Sequence, residues 1–163
     1  MTEKVFKIKT IRLFEEWIAP IVLLIIISFF VYEVYHQKDE DYVFKIVAFF
    51  IIAIIFLGPF FFLFFNHLSK SLKTELKVNS EFIELTQKGK SCIIDLTDIE
   101  TITVYSINGK YGPGKLPWSD IFKWKVKSYN SEIIFSSLLI SESNFKKLLK
   151  KELIYKFDYM PTM

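Results

Sequence analysis

Residues 46–65 read IVAFFIIAIIFLGPFFFLFF. No residue in the run is charged. Its length is about the 20 residues a helix needs to cross a hydrocarbon core of roughly 30 Å. Eight of the 18 phenylalanines fall within it. Clustering of this kind predicts a membrane span and not an unusually apolar soluble core. Gly58–Pro59 lies inside the run and should kink the helix, since proline has no N–H to give. Asn66 and His67 mark the polar exit.

A second run precedes it, Trp17 to Tyr32, WIAPIVLLIIISFFVY. Tyr35 extends it past Glu33, whose carboxylate can reach the interface from one turn inside. Pro20 is expected in the first helical turn, where a missing N–H costs little. Trp17, Tyr32 and Tyr35 sit at the ends, as interfacial aromatics do. HQKDED, residues 36–41, is short and polar, so the two runs predict a helical hairpin. The expected order is an N-terminal segment 1–16, a span 17–35, a loop 36–41 and a span 42–68. A cleaved signal peptide is not expected: the first run is long for one, no small-x-small site follows it, and a second span does.

Basic residues beside the spans set the orientation. Lys4, Lys7, Lys9 and Arg12 precede the first span, and Lys70, Lys73 and Lys77 follow the second. Only Lys38 and Lys45 lie between. Both termini are therefore expected in the cytoplasm of a cell (inner) membrane protein, with the loop outside. Glu33, His36, Asp39, Glu40 and Asp41 cluster near that loop, and solvated charge explains them better than a metal site.

The 163-residue chain has one cysteine, Cys92, which leaves no intrachain disulfide and no cysteine-based zinc site. A net charge of +3 is too small to argue for nucleic acid. Arg12 is the only arginine, and bidentate phosphate recognition favours arginine.

From Thr74 the pattern changes to short strands. Glu75 to Val78 alternates and Asn79–Ser80 turns it. Phe82–Thr86 and Ser91–Leu96 flank a glycine-containing turn and predict a hairpin. Thr101–Ile107, TITVYSI, has strong strand composition. Phe122, Trp124 and Val126 alternate with Lys123, Lys125 and Lys127. Glu132–Ile140 is a further strand. Phe145, Leu148, Leu149 and Leu153 then share one helical face, with Ser141 or Ser143 as cap and lysines opposite. The fold class that follows is a two-helix transmembrane hairpin and a small, mainly β domain over 74–155. Its antiparallel strands are expected to form a partly open barrel plugged by a C-terminal amphipathic helix. Residues 156–163 read as a tail, frayed or locally packed.

The stretch FIELTQKGKSCIIDLTDIETITVYSI, residues 82–107, resembles the start of bacterial pleckstrin-homology-like (PH-like) domains. These run as strand, glycine turn, a strand ending in an I-x-L/Y-x-D-I phrase, and a β-branched strand. The phrase here is Ile94 to Ile99. The later strand pair and the SESNFKKLLKKEL helix keep the same order. The resemblance covers roughly 74–155 and extends to small bacterial membrane proteins with two spans ahead of such a domain. It implies a domain that docks and does no chemistry. The superfamily's phosphoinositide binders use a basic, arginine-containing first loop. The matching turns here offer Asn79–Ser80, then Lys88 and Lys90.

One motif argues for chemistry. Residues 108–118, NGKYGPGKLPW, contain most of a P-loop. Leu116 stands where a hydroxyl should hold Mg²⁺, Pro113 removes an N–H from the would-be cradle, and an alternating strand replaces the helix that should face the phosphate. No nucleotide is expected. Both histidines flank the spans, so the β domain lacks the usual general base. The chain is expected to be no enzyme and to need no cofactor and no metal. Its expected partners are membrane lipids and an unidentified protein. The candidate contact residues are Lys110, Tyr111, Lys115 and Trp118 of the loop, with Lys123, Lys125 and Lys127 of the strand. The loop can equally fold back as a lid. The expected function is a membrane-anchored docking or scaffold protein. The alternative is a small accessory subunit of a transport or channel complex that acts through its helices.

Overall fold

The computed structural model describes residues 4–8, 10–37, 41–107, 119–149 and 151–163. Helix α1 spans Thr10–Gln37 and α2 spans Tyr42–Ser71. At 1.5 Å per residue they are about 42 and 45 Å long, well beyond a roughly 30 Å hydrocarbon core. Both are long and apolar enough to cross a membrane. Because α1 begins at Thr10, Pro20 lies well inside the helix and not in its first turn, as the apolar run alone had suggested.

Buried positions on α2 include Ala53, Leu57, Phe60, Phe64, His67 and Ser71. They recur every three or four residues, which places them on one stripe. Its upper half belongs to a core of Phe60, Leu63, Phe64, Ile107 and Ile121, against which Leu13, Trp17 and Met160 pack. The ends of the hairpin and the β domain are thus joined by shared apolar contact. Trp17 sits edge-on to Phe60 and Phe64, with ring centroids 5.8 and 5.4 Å apart.

The β domain has two four-stranded sheets. The first has the order β1 (Lys4–Phe6), β2 (Thr74–Val78), β3 (Phe82–Gln87), β4 (Lys90–Asp95) and is antiparallel throughout. The strand β1 comes from the segment ahead of α1, which had read only as a flank. It pairs Lys4 with Val78 and Phe6 with Leu76, so the chain on either side of the hairpin meets in one sheet. In the β2–β3 turn, the Asn79 carboxamide oxygen accepts from the backbone N–H of Glu81 and Phe82. The β3–β4 turn is Lys88–Gly89, both at positive φ, as a two-residue type I′ hairpin requires.

The second sheet has the order β7 (Glu132–Ser136), β6 (Lys123–Ser128), β5 (Ile99–Ser106), β8 (Ile154–Phe157). A register shift between Ile99 and Thr101 lets β5 start earlier than its composition implied. The strand β7 ends at Ser136 and not at Ile140. There the Ser136 hydroxyl accepts from the Leu138 N–H, while the Ser137 hydroxyl donates to the Asp120 carbonyl. The local bond to Ser136 competes with a ladder.

The inner faces meet in one core that includes Leu76, Ile83, Ile94, Val104, Trp124 and Phe135. Helix α3, Glu142–Leu149, closes one end of it. Ser141 caps the helix by accepting from the Asn144 N–H at 3.4 Å. Phe145 packs on Trp124 and Phe135 at centroid distances of 4.6 and 5.3 Å. Among the described residues the strands form two facing sheets and no closed barrel. One expectation changes here, that of uniform strand direction: the strands are not all antiparallel, since β8 runs parallel to β5. The helix is described to Leu149, and from Lys151 the chain returns toward the sheet. Lys151 anchors that return by donating to the carbonyls of Leu96 and Ile99.

Candidate functional site

Lys110, Tyr111, Lys115 and Trp118 lie outside the described residues. The residues flanking that segment, Ile107 and Ile121, are both in the core shared with α2. The strand lysines are described. Trp124 and Val126 point into the core, so Lys123, Lys125 and Lys127 share the outer face of β6. Each is engaged. The Lys123 ammonium donates to the Thr162 carbonyl at 2.9 Å and stands over the Tyr105 ring at 5.0 Å. Lys125 meets Glu132 at 2.7 Å, and that bond holds its pKa above the usual range. Lys127 meets Glu100 at 3.4 Å. On α3, Lys146 pairs with Glu142 at 2.6 Å.

An opening is found elsewhere, between the sheets. The strands β4 and β7 are each the last in their sheet, and a cleft of about 510 Å³ separates them. Leu85, Cys92 and Ile133 form its apolar wall, and Lys88, Lys90 and Glu132 stand at its rim. Ile134 on β7, which lines the cleft, is 37% exposed. An unpaired strand edge offers a row of backbone N–H and C=O groups to another extended chain. The sequence showed both strands but not that their free edges border one cleft, because strand order is set by long-range pairing.

The histidines have structural surroundings. His67 is fully buried, with Nδ1 2.7 Å from the Ser136 hydroxyl and Nε2 2.6 Å from the Pro161 carbonyl. A carbonyl can only accept, so Nε2 carries the proton. Neither nitrogen is left for a substrate. His36 lies against the Tyr32 ring at 4.4 Å. Among the described residues no three His, Cys, Asp or Glu side chains come together as metal ligands.

Comparison of the chain with protein-family models, with curated proteins and with solved structures finds no match.

Proposed function

We propose that the chain is a membrane-anchored docking protein that does no chemistry. In this reading α1 and α2 cross the membrane, both termini lie in the cytoplasm, and the β domain is a PH-like module. It takes an extended segment of a protein partner into the cleft between β4 and β7. The observation that carries this is that two free strand edges border one opening, with Cys92 of β4 and Ile133 and Ile134 of β7 in its wall. Backbone bonding to such an edge gives affinity, and alternate side-chain pockets give selectivity.

The engaged state of Lys123, Lys125 and Lys127 favours the cleft over the lysine face as the contact surface. The accessory-subunit alternative needs polar side chains between helices. Ser28, one of the few in the spans, closes its hydroxyl on the Leu24 carbonyl of its own helix at 2.8 Å.

Two experiments test the proposal. In sealed right-side-out vesicles, protease should leave residues beyond 74 intact, and cleavage there overturns the orientation. A photo-crosslinking residue at position 134, in the cleft wall, should give a discrete protein adduct in native membrane, while one at the exposed Tyr129 should not. Equal labelling at both sites, or none at 134, overturns the cleft.

A further inference from the structure

Two cavities follow one another along the seam where the N-terminal segment crosses the end of α2. The inner one, about 420 Å³, is walled by Leu13, Phe14, Trp17, Ile21, Phe64 and Leu68. The outer one, about 340 Å³, is walled by Lys7, Ser71, Lys73, Thr74, Glu75 and Thr86. Leu68 and Ser71 are a turn apart on α2, so one wall continues from the apolar cavity to the polar one.

Their depths suit the two parts of a lipid. From Leu68 to Ser71 the helix rises about 4.5 Å. A headgroup layer is roughly 5–8 Å thick on each side of the hydrocarbon. With Leu68, where the second span is read to end, at the hydrocarbon edge, the inner cavity lies within the hydrocarbon and the outer one at headgroup level.

The polar groups there point to a phosphate. Ser71 is 2% exposed, and its hydroxyl has no hydrogen-bond partner. A buried hydroxyl is rarely left so. Lys73 has φ 65°, a conformation usually given to glycine or asparagine after a helix. It forms no ion pair among the described residues. Lys7 is shared with Glu75 at 2.7 Å, which leaves the wall one net positive charge. The carbonyl end of α2 would repel an anion. The Lys70 carbonyl, however, is already taken by the Thr74 hydroxyl at 2.9 Å and the Gln87 amide at 2.7 Å.

We infer that this seam is a binding site for one membrane glycerophospholipid. Its phosphodiester lies between Lys7, Lys73 and Ser71, and one acyl chain runs along Trp17 and Phe64. The inference rests on the two helices spanning a membrane.

The test is native mass spectrometry of the full chain in detergent micelles carrying either phosphatidylglycerol or a diacylglycerol with the same acyl chains. A one-to-one phosphatidylglycerol adduct is expected, with the diacylglycerol adduct at least about tenfold weaker. The double variant Lys7→Gln/Lys73→Gln should lose the adduct to a similar degree while keeping a cooperative melting transition. Leu13→Trp, which fills the inner cavity and keeps both lysines, should lose it too. Inorganic phosphate should not displace the lipid. Equal binding of the two lipids, undiminished binding to either variant, or displacement by phosphate overturns the site. Carbonate extraction separates the two claims. A chain that stays with the membrane but binds no phosphatidylglycerol refutes the lipid site alone, whereas a chain released by carbonate refutes the spans.

Discussion

His67 Nε2 donates to the Pro161 carbonyl at 2.6 Å, joining residues 94 positions apart. The other ring nitrogen meets the Ser136 hydroxyl, so one imidazole ties the end of α2 to β7 and to the last residues of the chain. Nearby, the Met163 N–H donates to the Asn66 carboxamide oxygen at 2.7 Å. The tail is thus a strap that holds the β domain to the hairpin.

His67→Ala should strip both partners and leave a cavity. The expected loss is about 2–4 kcal/mol. Truncation after Phe157 removes the Pro161 carbonyl and should cost about 1–3 kcal/mol. Thermal unfolding in detergent checks both. An unchanged melting temperature in both variants would show that the strap does not hold the domain.

Trp124 is fully buried against Phe122, Phe135 and Phe145, and its ring N–H has no partner. Trp124→Ala should cost about 3–5 kcal/mol. Trp124→Phe should cost less than about 1.5 kcal/mol, because losing an unsatisfied N–H offsets some of the lost contact. Denaturant titration of the two variants measures the difference. Equal losses would mean that the N–H is satisfied.

The β3–β4 turn separates backbone cost from packing cost. A Cβ on Gly89 meets nothing within 4 Å, yet its φ is +78°. Gly89→Val should therefore lose roughly 1–2 kcal/mol from conformation alone. Lys88→Asn creates the favoured Asn–Gly turn and should gain a few tenths to about 1 kcal/mol. Unfolding midpoints that move together, or not at all, contradict the turn type.

Two contacts titrate at opposite ends of the pH scale. The Lys7 ammonium bonds Glu75 and holds its carboxyl below the usual 4.5. A lowered folded value means that the contribution is complete above about pH 4.5 and fades as pH falls through the lowered value. Hydrogen exchange at Val5 and Phe6 of β1 should quicken in acid, and Glu75→Gln should abolish that dependence. Tyr155 on β8 is shifted the other way, upward from the usual 10, first by burial and then by its bond to Glu142 of α3. Its contribution is complete below about pH 10 and is lost as pH rises through the raised value. Tyr155→Phe should flatten the alkaline limb of the stability profile.

Period and turn chemistry made most elements legible. The apolar runs placed both helices, and the alternation around Trp124 assigned the faces of β6 correctly. Gly89 and Asn79 marked their turns. Where long-range pairing decides, local pattern was silent. Lys4–Phe6 is too short to signal a strand, and only its register with Leu76–Val78 makes it one. The segment 154–157 becomes a strand because β5 offers a free edge. His67 read as a polar exit because nothing local indicates that Pro161 returns to meet it. The loop residues Lys110 to Trp118 lie outside the described residues. Lys123, Lys125 and Lys127 kept their predicted face, but their partners on other elements could not be read from spacing.

The pairing of β1 with β2 also bears on the order of synthesis. The strand β1 leaves the ribosome before either helix, and its partner only after both. Left open, that gap would be a costly loop to close. Once α1 and α2 lie side by side, the hairpin itself brings the two strands together. The first sheet is then completed only in molecules whose helices already lie side by side, so a complete sheet certifies a closed hairpin.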